Sequence, residues 1–197
     1  MCSSDLPDKT GELRFGPCVD YLDAVLRSAR QVIVEVSTAF TAPLGAPQVG
    51  DRADYLFESD ATLPLYPAVS IDETSRAIGN HIADMINDGD CLQTGIGAVP
   101  AAILAGLGDK NDLGFHGGLI DDGVSGLIVN GNLTGSAKAI DRGQHVTGMA
   151  LGGEKLLTWL ADTPDVVFRS ADYTHEAKVI AQLRSEEHTS ELQSPDH

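Results

Sequence analysis

The sequence predicts an α/β fold with a largely parallel sheet, and three observations carry that expectation. From residue 70 onward, short apolar or β-branched runs alternate with helix-period segments, the pattern of strands joined by helical crossovers. Ser70-Ile-Asp-Glu73 fits a capping box at a helix start. The stretch Gly95-Ile-Gly-Ala-Val-Pro100 links an apolar run to a helical one, as a tight strand-to-helix turn would.

In chain order, Val19–Arg30 places Val19, Leu22, Val25, Leu26 and Ala29 on one helical face. Gln31–Val36 follows as a β-branched strand. A stretch rich in Pro, Gly and Asp runs from about Thr41 to Val69, with Pro43, Pro47, Pro64 and Pro67. That composition and length predict an extended linker, so residues 7–69 and 70–183 are expected to form separate parts. The helix from Ser70 presents Ile78, Ile82, Met85 and Ile86 at helical spacing, and Gly89 ends it. Cys91–Thr94 is expected as a strand, with a helix after the turn through about Leu107. Then come strand Asp112–His116, helix Val124–Val129 closed near Gly131, strand His145–Leu151, helix Glu154–Ala161, strand Val166–Arg169 and helix His175–Leu183.

Hydrophobic residues make up 42% of the 197 positions, enough for a packed core. The formal charge is -16 with only 13 Lys and Arg, which disfavours a nucleic-acid partner because phosphates need a basic surface. No apolar run approaches the roughly 20 residues that span a bilayer, so no membrane role is expected. The opening MCSSDLPDKTGEL lacks the basic start and apolar core of a signal peptide. Cys2, Cys18 and Cys91 form no metal motif and no disulfide framework, which predicts a reduced, cytoplasmic setting and no metal.

Both ends read as foreign. Arg184–His197 is polar and without period, and its RSEEHTSELQS resembles the translation of a common sequencing adapter. MCSSDL, residues 1–6, resembles the same adapter on the opposite strand. Residues 1–6 and 184–197 are therefore expected to be non-native and to pack few side chains into the fold.

Two segments carry candidate chemistry. In CLQTGIGAVPAAIL, residues 91–104, Gly95 and Gly97 allow a sharp turn that presents N–H groups and a helix N-terminus to an anionic or carbonyl group. The same turn also serves many folds as a purely structural link. A Rossmann dinucleotide site fits poorly, since Pro100 stands where a third Gly belongs and no acidic residue follows about 20 positions on. In DLGFHGGLIDDGVSG, residues 112–126, His116 is either an acid/base group or a structural histidine. Asp121 and Asp122 are either a metal or acid/base pair or helix N-terminal caps.

Four blocks in order resemble the acetyl-CoA hydrolase/transferase family, which includes acetate, butyrate and 4-hydroxybutyrate CoA-transferases. They are GPCVDYLDAVLRSARQVIVEV, LQTGIGAVPAAIL, LGFHGGLIDDGV and ALGGEKLLTWLADTPDVVFRSADYTHEAKVIAQ. The resemblance implies parts of two open α/β domains. Residues 7–69 would close the N-terminal domain and residues 70–183 would begin the C-terminal one. It also implies acyl-CoA and a carboxylate as substrates, coenzyme A contacts at Gly95, Ile96, Gly97, Ala98 and Val99, and room for a homo-oligomer at full length. The family's chemistry runs through a glutamyl–CoA thioester, a covalent route that divides one hard exchange into easier steps. The nucleophilic glutamate stands two residues after a histidine. Here that position, after His116, is Gly118, which has no side chain to react. Another carboxylate, altered chemistry or a glutamate beyond Leu183 would have to account for this.

Overall fold

The computed structural model describes residues 4–183, and strands alternate with helices as the sequence predicts. In the first part, β1 (Ser4–Pro7), β2 (Leu13–Arg14), β3 (Ile33–Ser37) and β4 (Tyr55–Ser59) form a sheet ordered β2-β1-β3-β4. All its pairings are parallel except β1 with β2.

Several expectations for this part need correction. Residues 1–6 do not all stay outside the fold. Ser4 and Asp5 pair with Glu35 and Val36, and Leu6 is only 1% exposed because it is an apolar side chain turned inward from a central strand. Residues 184–197 lie outside the described residues. The helix expected from Val19 starts later, as α1 (Leu22–Ser28), because Asp20 takes φ 24° and breaks the helical path. The N–H groups of Val19 and Asp20 instead donate to the Gly148 carbonyl at 2.8 and 3.2 Å. The expected linker contains β4, paired with β3 from Ile33–Tyr55 to Ser37–Ser59. There the β-forming run Tyr-Leu-Phe outweighs the Pro and Gly around it.

The second part contains α2 (Glu73–Met85), β5 (Cys91–Leu92), α3 (Ala98–Ala105), β6 (Gly114–Phe115), β7 (Leu119–Ile120) and α4 (Asp122–Val129). It continues with β8 (His145–Thr147), β9 (Met149–Ala150), α5 (Glu154–Leu160), β10 (Val166–Phe168), α6 (Ala171–Thr174) and α7 (Ala177–Ile180). The pairs β5–β6, β7–β9 and β8–β10 are all parallel. A bridge between His116 and Val146 links β6 to β8, giving the order β5-β6-β8-β10.

The cap of α2 is Asp72 rather than Ser70; its carboxylate accepts from the Ser75 N–H at 2.7 Å. The buried face of α2 is Ser75, Gly79 and Ala83, while Ile78 and Met85 are exposed. Close approach of α3 explains this, since a Cβ on Gly79 would lie 2.6 Å from the Ala102 Cβ. Of the helix expected over His175–Leu183 only α7 (Ala177–Ile180) forms, and α6 (Ala171–Thr174) precedes that range.

One cluster of buried side chains runs through both parts, from Phe15, Val19, Val34 and Val49 to Leu104, Phe115, Ile120, Leu160 and Phe168. Backbone hydrogen bonds reinforce the contact: Phe168 N–H donates to the Gly45 carbonyl at 3.0 Å, and Ala150 N–H to Pro17 at 2.7 Å. A Cβ on Gly45 would collide with the Val166 carbonyl, so glycine is needed there for the close approach.

Candidate active site at the strand ends

Open parallel sheets bind ligands beyond the C-terminal ends of their strands. Three of the segments of interest meet there. The Gly95–Val99 turn follows β5, His116–Gly118 follows β6, and Arg169–His175 follows β10. Parallel pairing of β5 with β6 sets the first two side by side. His116 N–H donates to the Leu92 carbonyl, and a Cβ on Gly117 would lie 3.2 Å from the Gln93 Cγ.

Gly97 caps α3 without a side-chain hydrogen bond and at φ 117°, a conformation that side chains with a Cβ rarely adopt. Pro100 has no N–H, so the first turn offers the amides of Ala98 and Val99. Among the described residues, and apart from the adjoining ones in the chain, none has an atom within 4 Å of a Cβ built on Gly95 or Gly97, and Ile96 is exposed. The turn therefore presents open backbone and the positive end of a helix.

His116 is only 2% exposed, and neither ring nitrogen has a hydrogen-bond partner among the described residues. Its ring lies 5.7 Å from that of Tyr173, whose hydroxyl donates to Asp141 at 2.8 Å. Burial, with the nearby Lys138 charge, lowers the His116 pKa and favours the neutral imidazole. Lys138 is itself buried, donating to the carbonyls of Phe115 at 3.2 Å and Gln144 at 2.9 Å. Burial likewise pushes the Cys91 thiol up to about 11, so it stays protonated and is a poor nucleophile near neutral pH.

The carboxylates of Asp121 and Asp122 are both engaged by backbone N–H groups. Asp121 is the N-cap of α4, accepting from the Val124 N–H at 2.9 Å, and Asp122 accepts from the Gly153 N–H at 3.0 Å. Burial raises the Asp121 pKa. Among the described residues, no group of three His, Cys, Asp or Glu could hold a metal ion.

Gly118 sits where the chain passes between β6 and β7, and its carbonyl accepts from the N–H groups of Gly148 and Met149 at 3.2 and 2.9 Å. The space above its Cα is taken. A Cβ there would lie 2.5 Å from Cε1 and 2.9 Å from Nε2 of His175. The other ring nitrogen, Nδ1, is 2.8 Å from the hydroxyl of the buried Thr174. Sequence reading placed His175 at the start of a helix and gave it no role. The usable signal was its position just after the last strand, because every such crossover opens onto the same sheet edge. Lys138, in a Gly-rich and polar loop, gave no comparable signal.

No family model matches the chain. It is 35% identical over 176 residues to the 4-hydroxybutyrate coenzyme A transferase of Clostridium kluyveri, a match covering 88% of this chain and 41% of that protein. The structure of RipA from Yersinia pestis superimposes with a TM-score of 0.85 at 33% identity, covering 92% of this chain and 43% of that one. A 4-hydroxybutyrate CoA-transferase structure from Porphyromonas gingivalis gives a TM-score of 0.78 at 28% identity, covering 91% and 46%. The chain thus spans less than half the length of these relatives. By sequence and by fold, it belongs with the CoA-transferases, matching about two-fifths of the Clostridium enzyme's length.

Proposed function

We propose that this chain is part of an acyl-CoA-handling enzyme, an acyl-CoA:carboxylate CoA-transferase or a CoA thioester hydrolase of the same family. Coenzyme A lies against Gly95, Ile96, Gly97, Ala98 and Val99, with main-chain amides as the donors. The observation that carries this reading is the open turn at Gly97, beside His116–Gly118 at the sheet edge where the strands end. Residues 7–69 close one domain of the full-length protein and residues 70–183 begin the next. The substrates are an acyl-CoA and a carboxylate or water, and the setting is the cytoplasm, in keeping with free Cys18 and Cys91.

A second reading, a CoA-binding homologue with altered chemistry, is favoured by Gly118. No carboxylate projects from that position, and an imidazole occupies the space above it. Incubating the full-length protein with acetyl-CoA or butyryl-CoA, with and without a carboxylate acceptor, tests the proposal. Consumption of the thioester is the expected result. Failure both to bind coenzyme A and to consume any acyl-CoA would refute it.

A further inference from the structure

The imidazole over Gly118 lies at the same strand ends as the Gly95–Val99 turn. It is exposed, so a substrate can reach it. A Cβ at Gly118 would be 2.9 Å from Nε2, so the ring edge fills the volume of the absent side chain. Thr174, fully buried, holds Nδ1 at 2.8 Å and fixes the ring. A ring that donates from Nδ1–H to the Thr174 oxygen keeps its lone pair on Nε2, the arrangement a base requires. Backbone bonds place this segment: Ala171 N–H donates to the Asp20 carbonyl at 3.0 Å and His175 N–H to Ala171 at 3.0 Å.

We propose that His175 is the catalytic base of this site and that water is the acceptor, making the reaction acyl-CoA thioester hydrolysis. The inference rests on the reading that coenzyme A binds at Gly95–Val99. Nε2 takes a proton from water as the water oxygen forms a bond to the thioester carbonyl carbon. The tetrahedral intermediate collapses, the C–S bond breaks, and the departing thiolate takes the proton from the imidazolium. The products are a carboxylic acid, which ionises into solvent, and the coenzyme A thiol. The imidazole is returned unchanged. The step needs no carboxylate at position 118.

The geometry also predicts what restoring that carboxylate would require. Glutamate at position 118 would meet the His175 ring and force it off its bond to Thr174, so Gly118→Glu is paired with His175→Ala to clear the space. The test uses full-length protein, follows acyl-CoA loss and product identity, and measures coenzyme A affinity by calorimetry. His175→Ala is expected to lower turnover about 100-fold or more while coenzyme A still binds. Free imidazole should restore part of the lost rate by entering the vacated space. Gly118→Glu/His175→Ala should gain transfer to a carboxylate acceptor that Gly118→Glu lacks. Unchanged turnover in His175→Ala with coenzyme A bound would overturn the base assignment. Transfer to carboxylate as fast as hydrolysis in the wild type would overturn water as acceptor. A wild-type protein that binds no coenzyme A would instead sink the underlying site reading.

Discussion

At the scale of single residues, burial decides which groups can carry charge. His145 is buried and its Nδ1 has no partner among the described residues. Burial, aided by Lys138 and opposed by Asp165, lowers its pKa to about 4. A histidine ordinarily titrates near 6.5, so the unfolded chain takes up a proton before the folded one does. The stabilising contribution of neutral His145 is therefore present above about 6.5 and lost as pH falls toward 4. At about 1.4 kcal/mol per pH unit, that window is worth roughly 3 kcal/mol. Denaturant unfolding between pH 7 and 4 should show this loss, and His145→Gln should flatten part of it. A stability independent of pH across that range would contradict the assignment. Lowered proton affinity at His116 acts in the same direction.

At the scale of elements, small residues set the spacing between α2 and α3. In an exposed helix, replacing Gly by Ala stabilises by up to about 1 kcal/mol. At Gly79 the new methyl would strike Ala102 at 2.6 Å, and overpacking of this kind costs roughly 1–3 kcal/mol. The contact should win, so Gly79→Ala is expected to destabilise. Gly126→Ala, in α4 where the new methyl meets no other described element within 4 Å, should stabilise instead. Thermal melts of the two variants decide the point, and equal shifts would show that the α2–α3 contact is looser than described.

The same pair of helices shows what the sequence could reveal. The alternation of strand and helix and the α3 turn were legible because Gly, Pro and apolar period act locally. The buried face of α2 was not, because Ile78 and Met85 look like core until the approach of α3 is known. The strand expected over His145–Leu151 is likewise divided into β8 and β9 because the two halves pair with different strands, β10 and β7. Gly118 was visible as a missing carboxylate, whereas the imidazole above it comes from a segment 57 positions away and needed the fold.

At the scale of the whole molecule, strand β4 leaves an apolar edge uncovered. Tyr55, Leu56 and Phe57 are all exposed, together with Ile33 on the paired strand, so both faces of the edge are bare. Such an edge invites pairing with another chain. The 197-residue chain alone is expected to self-associate, and Leu56→Lys with Phe57→Lys should lower its mass in light scattering. A monodisperse monomer without these changes would contradict that expectation. The central claim is that the open turn after β5 binds coenzyme A through its backbone, and calorimetric titration of coenzyme A into full-length wild type and Gly97→Val tests it most directly. A branched side chain at φ 117° carries roughly 1–3 kcal/mol of strain and intrudes on the open space, so affinity should fall about tenfold or more. Equal affinity in the two proteins would contradict the site.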